Sequence, residues 1–353
     1  MSSTETRKME YMRLGQSGLK VSKVILGCMS YGFEGWWGNW VLPEEEASKH
    51  IKAATTLVSM RSTQLTYTSM DFQRRYLAAP SSSTSFPGTK LFVLTKVYCA
   101  VSRYPAELLS MYANHDVLDG KGYVNQYGLS RKHIFDSVKH SLRRLQLDYI
   151  DVLQCHRLDP NTPIEETMQA LHDVVKAGYV RYIGVSSCYA WQFHAMQNYA
   201  INNKLTPFIS MQNHYNMLYR EEGREMFSTL KHFGVGAIPW SPLARGALTR
   251  PLEGQQQTKC ETSDGMPPGL YTQSAANQTI VNRVEEIAKK RGISMAQVSV
   301  AWTLGKEGVS APIVGTTSLS NLADIVAAIH IKLTEEEVKY LEEPYQPMPV
   351  IGH

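Results

Sequence analysis

Between Lys23 and Ser318 the chain alternates short apolar runs with longer amphipathic ones, joined by short links. This alternation constrains the fold more than any other feature. The apolar runs are "KVILG", "LFVLTK", "DYIDVLQCHR", "VRYIGVSS", "FISMQNHYN", "GAIPWSPLARG" and "APIVGTTS". Helix-like segments stand between them. Residues 43–54 open with three glutamates, and Ser130 is placed to cap a helix in which Ile134, Phe135, Val138, Leu142 and Leu145 share one face. Thr162, Pro163 and Glu165 spell a capping box with proline at the first helical position, and Gly178 is a natural stop. Gly292 ends one late helix, Ser294 opens the next, and Thr334 with Glu337 caps the last. "REEGREMFSTLKHFG" reads as a helix throughout. "YMRLGQSGLKVS" reads as a hairpin turning at Ser17-Gly18.

Strand, helix, strand with short links requires parallel strands and helical crossovers. Strands at 24–28, 92–96, 149–154, 181–186, 208–212, 236–240 and 312–315 make seven. An eight-fold barrel needs one more between the first two. That place holds "LVSMRSTQLTYTSMDFQRRY" (57–76), which lacks an apolar period and runs into "LAAPSSSTSFPG". The sequence therefore predicts one domain over residues 1–353, a (β/α)8 TIM barrel with an N-terminal hairpin. Its second strand–helix unit, about 55–92, is disrupted and poorly ordered. A doubly wound open sheet is the alternative, but "LGCMSYG" lacks the GxGxxG spacing that such a sheet wants after its first strand.

Lys96, His156, Ser186, Gln212 and Ser241 each fall at or just past the C-terminal end of an expected strand, the rim that carries chemistry in such barrels. Taken singly each has an ordinary reading: a strand-end lysine, a satisfied core histidine, polar caps. Their recurrence on successive strands is what favours a site. "GFEGWWGNW" (32–40) reads either as an aromatic substrate pocket or as a mouth loop with surface-packed tryptophans, and "RRLQ" (143–146) as a solvated helix face. The net charge of +4 is spread without a basic block, which argues against nucleic acid and membrane surfaces as partners. The five cysteines are far apart, have no zinc spacing and read as reduced thiols, and the polar start lacks a signal core. Together these place the chain in the cytoplasm, with no metal site.

"MEYMRLGQSGLKVSKVILGCMSYG", "VLTKV", "IDVLQCHRLD", "RYIGVSS", "SMQNHYN", "WSPLARGAL" and "PIVGTTS", in this order, resemble the aldo-keto reductases. The likeness is to the fungal branch of versiconal hemiacetal acetate reductase-like and aryl-alcohol dehydrogenase-like enzymes. It implies hydride transfer from NADPH, with NAD the alternative cofactor, to a small aldehyde or ketone, or the reverse alcohol oxidation, and a place in fungal secondary metabolism. By resemblance Lys96 is the catalytic lysine and His156 the histidine that orients the carbonyl. Ser186, Ser187 and Gln212 grip the nicotinamide carboxamide and Trp240 stacks on the ring. Ser241, Pro242, Leu243, Ala244, Arg245 and Gly246 line the pyrophosphate. Gly315, Thr316, Thr317 and Asn321 hold the adenosine 2′-phosphate end. The family often places an arginine or lysine in that last segment, where this chain has Thr317 and Asn321. Nothing in the sequence sets the oligomeric state.

The family's aspartate and tyrosine come from a pattern like "FDTADVY" on the second strand. Their positions here are Thr63 and Thr68. The genetic code offers a reason. With one nucleotide lost near the codon for Ala54, each family residue is read from the third base of one codon and the first two of the next. Thr55 onward then allows "YDAGINAFDTADVY", and Met70 onward allows "NGLSEEILGRAIKQHQLPRDKIV". The glycine read from Met70 and Asp71 is forced, and the triplet at Ser69 alone fails. A divergent loop is the other reading of this stretch. As the chain stands, two functions follow: a reductase, or a catalytically impaired nucleotide-binding barrel lacking its tyrosine proton donor.

Overall fold

In the computed structural model of the protein, residues 9–32, 40–57, 63–66, 91–100, 115–254 and 270–353 are described. An antiparallel hairpin of β1 (Tyr11–Arg13) and β2 (Lys20–Ser22) comes first, turning at Ser17-Gly18 as expected. Eight strands follow: β3 (Ile25–Gly27), β4 (Thr63–Thr66), β5 (Leu91–Val97), β6 (Ile150–Cys155), β7 (Val180–Ser186), β8 (Phe208–Gln212), β9 (Gly236–Ala237) and β10 (Ile313–Val314). They form one parallel sheet in the order β10-β3-β4-β5-β6-β7-β8-β9. The two ends of this ladder are hydrogen-bonded to each other. Ala237 bridges Val309 and Trp240 bridges Ile313, with Ser310 N donating to Ala237 O at 2.7 Å and Ile313 N to Pro239 O at 2.8 Å.

β4 departs from expectation. The second strand was expected to be lost, yet Thr63–Thr66 pairs in parallel with both β3 and β5, Leu65 facing Leu26 on one side and Val93 on the other. The local sequence has no strong period, but β3 and β5 would otherwise present unpaired edges there. Two β-branched threonines suit an extended backbone. Thr55–Leu57 belong to the helix Glu44–Leu57, and residues 58–62 and 67–90 of the anomalous stretch lie outside the described residues.

Most helix ends follow their sequence signals. Ser130 accepts from His133 N at 3.3 Å and opens Arg131–Leu145, where Ile134, Val138 and Leu145 are buried in the cores. Ser294 with Gln297 and Thr334 with Glu337 form reciprocal capping boxes. The box expected at Thr162 does not form. Its hydroxyl donates to Asp159 Oδ2 at 2.7 Å, and Pro163 caps Ile164–Lys176 without a side-chain bond. The helix expected over 220–233 is broken. Glu221–Gly223 is a 3-10 turn, and the α-helix begins only at Met226. Of "RRLQ", Arg143 is exposed, but Arg144 is half-buried and burial lowers its pKa to about 10.

The two-residue period of the strands builds the interior in layers. Leu94, Val152 and Ile238 join Leu14 and Val21 of the hairpin in one buried apolar cluster. Two residues further along β5 and β6 the same face carries Lys96 and Gln154, and β8 brings Gln212 against both, all buried. The helices pack outside, on clusters centred on Leu153, Ile183 and Phe193 and on Val284, Val298 and Trp302. Among the described residues no helix is long and apolar enough to cross a membrane.

The hairpin fits the end of the ladder through glycine. Gly15 has φ +58°, and a Cβ on it would stand 2.4 Å from Gly234 O and 2.6 Å from Gly236 N. We predict that Gly15→Ala destabilises the protein by about 2 kcal/mol or more in urea unfolding. Gly18→Ala, where a Cβ meets nothing within 4 Å, is the control and should stay within about 0.5 kcal/mol of wild type.

Candidate active site

The C-terminal ends of β5 to β9 converge, and the polar interior layer surfaces there. Lys96 Nζ donates to Gln212 Oε1. Gln212 Nε2 donates to Gln154 Oε1 at 2.9 Å, and Gln154 Nε2 reaches Ser210 Oγ at 3.5 Å. The backbone oxygen of Gln212 accepts from Ser186 Oγ at 2.6 Å and from Ser187 N at 3.2 Å. Ser187 Oγ in turn accepts from Trp240 Nε1 at 3.1 Å. Five residues expected at the site from sequence, Lys96, Ser186, Ser187, Gln212 and Trp240, thus form one connected network. Ser187 takes φ 39°, the left-handed turn that points its hydroxyl to the indole.

His156 lies just past β6, half-buried, its amide donating to Val97 O at 2.9 Å. Its Nδ1 is 3.5 Å from Cys99 Sγ, and Arg157 Nη1 donates to its carbonyl at 2.6 Å. Burial above all, then the charges of Lys96 and Arg157, hold the imidazole well below the usual histidine range. Burial first and Arg157 second push the Lys96 ammonium well below the usual lysine range, while Cys99 acts in the opposite sense. The site thus keeps a neutral imidazole beside a lysine whose positive charge is costly.

Beyond β9 the chain makes a tight turn. Ser241, Ala244 and Arg245 have φ of 54°, 46° and 55°, and Gly246 follows at 100°. Pro242 is buried and Leu243 half-buried. Asn216 Nδ2 holds Ser241 O at 3.0 Å. Gly315, Thr317 and Asn321 are exposed around the start of the helix Leu319–Ala327, and the Asn321 amide donates to the Ser318 cap at 3.4 Å. Thr316 is buried and its hydroxyl donates to Ser318 O at 3.2 Å. The hydrogen bonds of these last four residues do not join them to the Lys96 network. Thr63 is the first residue of β4, and Thr68 lies outside the described residues.

Gln154, Ser210, Cys99 and His214 escaped the sequence reading. Gln154 and Ser210 carry a signal: each is two residues before a rim residue, His156 and Gln212, on the same face of a strand. His214 is buried between Tyr219 and Trp240, ring centroids 4.2 and 4.1 Å away and planes 11° apart on both sides. Its Nε2 lies 2.6 Å from the Tyr271 hydroxyl. Across this stack runs the end of the chain. Ile351 N donates to Tyr219 Oη at 2.9 Å, and His353 Nε2 is 2.9 Å from Glu222 Oε1. Residues 33–39 of the tryptophan-rich loop and Cys260 lie outside the described residues, and Trp40 is buried. Among the described residues no group of three or more His, Cys, Asp or Glu could hold a metal ion.

A parallel α/β fold that gathers a buried lysine, a neutral histidine and hydrogen-bonding amides and hydroxyls at one rim has the layout of an enzyme. The Aldo/keto reductase family pattern matches residues 23–346. The chain is similar to a Schizosaccharomyces pombe protein named as an aryl-alcohol dehydrogenase, at 44% identity over 356 residues covering 97% of each chain. It is similar to versiconal hemiacetal acetate reductase of Aspergillus parasiticus at 44%, covering 97% of this chain and 98% of the relative. It is also similar to an aldo-keto reductase of Metarhizium robertsii at 43%, covering 99% and 95%. The chain belongs to the aldo/keto reductase family, whose members are oxidoreductases acting on carbonyl or CH–OH groups.

His214 gives the site a measurable pH signature. Burial, then His353, Arg157 and Arg245, lower its pKa to about 3 from 6.5. Between those values the unfolded chain binds more protons than the folded one, so this contribution to stability is full above pH 6.5 and shrinks as pH falls. The loss should reach about 2 kcal/mol at pH 5. We predict that His214→Phe, which keeps a flat ring in the stack, removes about that much of the stability difference between pH 7 and pH 5. Urea midpoints at the two pH values check it.

Proposed function

We propose that this chain is an NADPH-dependent carbonyl reductase that converts a small aldehyde or ketone to its alcohol or runs the reverse reaction, with NAD the alternative cofactor. In this reading the ladder is the closed (β/α)8 barrel of the family, a single domain acting in the cytoplasm. The observation that carries it is the buried pairing of Lys96 with Gln212, beside His156 at the adjacent strand end. The donor set suits a dinucleotide. Trp240 offers a flat ring fixed by Ser187, and the backbone at 241–246 turns sharply beside it. Gly315, Thr317 and Asn321 are exposed at a helix start, where backbone N–H groups favour a phosphate.

When bound, the nicotinamide supplies the hydride. The chain's own residues do the rest. Trp240, Ser186, Ser187 and Gln212 hold the ring in place, and Ser241 to Gly246 and Gly315, Thr316, Thr317 and Asn321 hold the phosphates. When the Cys99 thiol donates its hydrogen bond to Nδ1, the single proton of neutral His156 sits on Nε2, where it donates to the carbonyl oxygen and orients it. Lys96 places positive charge where negative charge grows on that oxygen, and its acidified ammonium can give the alkoxide the proton that completes the alcohol.

A second reading has its own observation. The tyrosine that gives its proton in the family corresponds here to Thr68, whose hydroxyl is too weak an acid to replace it at neutral pH. In this reading the chain binds the nucleotide but turns over little. A fungal secondary-metabolic substrate fits the Aspergillus parasiticus and Metarhizium robertsii relatives.

NADPH consumption with an aromatic aldehyde tests the proposal. We predict turnover that falls by about 10²–10⁴-fold in Lys96→Met and in His156→Ala. NADPH binding, read by quenching of protein fluorescence, should stay within a few-fold of wild type in His156→Ala. Saturable binding without turnover in the wild-type chain would favour the second reading. No binding would overturn both.

A further inference from the structure

The amide chain behind Lys96 has a direction, and the lysine sets it. Lys96 Nζ donates to Gln212 Oε1, so the carbonyl end of Gln212 faces it. The amide end of Gln212 must then turn inward, where it meets Gln154 Oε1 at 2.9 Å. That commits the carbonyl of Gln154, and its own amide turns to Ser210 Oγ at 3.5 Å. Gln154 and Ser210 are fully buried, and Gln212 and Lys96 nearly so, which makes an unmet donor here expensive. β7 makes room for the layer with Gly184. A Cβ there would stand 2.3 Å from Ser210 Oγ and 3.2 Å from Gln154 Cγ.

We propose that Gln154 is a positioning residue: by accepting from Gln212 Nε2 it locks that amide with its carbonyl toward Lys96 and so holds the lysine at its working place on the rim. Gln154 itself touches neither cofactor nor carbonyl; it acts through Gln212. Strand geometry makes the coupling stiff. Gln154 pairs with Lys96 across β5 and β6 in the backbone register, and Gln212 closes the third side from β8. One oxygen lone pair and one amide hydrogen of Gln212 remain after these bonds. A ligand gripped by Gln212 is therefore linked to Lys96 through the same amide.

The inference rests on reading Lys96 as a working group of the site, and its test does not need turnover. The titration of Lys96 is followed by NMR of ¹³C-labelled lysine side chains in the full-length protein, the resonance assigned by its loss in Lys96→Met. Gln154→Glu keeps the shape and the acceptor and adds a negative charge to the chain. We expect the Lys96 midpoint to rise by about one pH unit, a tenfold gain in proton affinity. Gln154→Leu leaves Gln212 Nε2 without this acceptor, and we expect the midpoint to fall and NADPH-dependent kcat to drop about tenfold or more with KM for the carbonyl little changed. Gln154→Glu should recover most of that kcat. If both variants titrate at the wild-type midpoint and change only the unfolding transition, Gln154 is structural and the proposal is overturned. If Gln154→Leu fails to fold, the Gln154→Glu midpoint alone decides. A titration that shifts as expected in a protein without turnover upholds the positioning role while refuting the reductase reading.

Discussion

All eight strands of the sheet run the same way, and the rest of the structure depends on that. Each helical crossover returns the chain to the same end, so every strand C-terminus opens on one rim. The two-residue period then sorts the interior by depth. Below lies an apolar layer of Leu94, Val152 and Ile238, closed by Leu14 and Val21 of the hairpin. One step higher the same faces of β5 and β6 hold Lys96 and Gln154, joined by Gln212 from β8. The hydrogen-bonded network is the last interior layer before solvent, and its residues come from segments as far apart as β5 and Trp240 beyond β9.

Burying a lysine is the costly step in this arrangement. Burial and the nearby Arg157 guanidinium both disfavour its charge, and a buried ammonium without partners would shed its proton. The polarised amides of Gln212 and Gln154 offset part of that penalty by presenting an oriented acceptor. The same surroundings keep His156 neutral, which leaves it a hydrogen-bond donor and acceptor, not a second cation beside Lys96. One electrostatic environment therefore tunes both groups.

Much of this was legible in the sequence. The strand–helix alternation carried the parallel sheet, polar residues at strand ends carried Lys96, Ser186 and Gln212 of the network, and the family resemblance added Ser187 and Trp240. What was missed has physical reasons. Gln154 and Ser210 sit inside strands, where a lone polar residue reads as incidental until the neighbouring strands bring it a partner. Thr162 has the spacing of a helix cap, but Asp159 competes for its hydroxyl. β4 has no periodic signal of its own. Its extended backbone is imposed from both sides by β3 and β5.

If distant segments form one cofactor site at the rim, NADPH must protect them together. Hydrogen–deuterium exchange of the full-length protein with and without NADPH tests it most directly. Saturating NADPH should slow exchange together in peptides covering 212–216, 240–248 and 315–322, with little change at the hairpin 11–22. Protection confined to one of these segments, or none at concentrations that saturate binding, would contradict it.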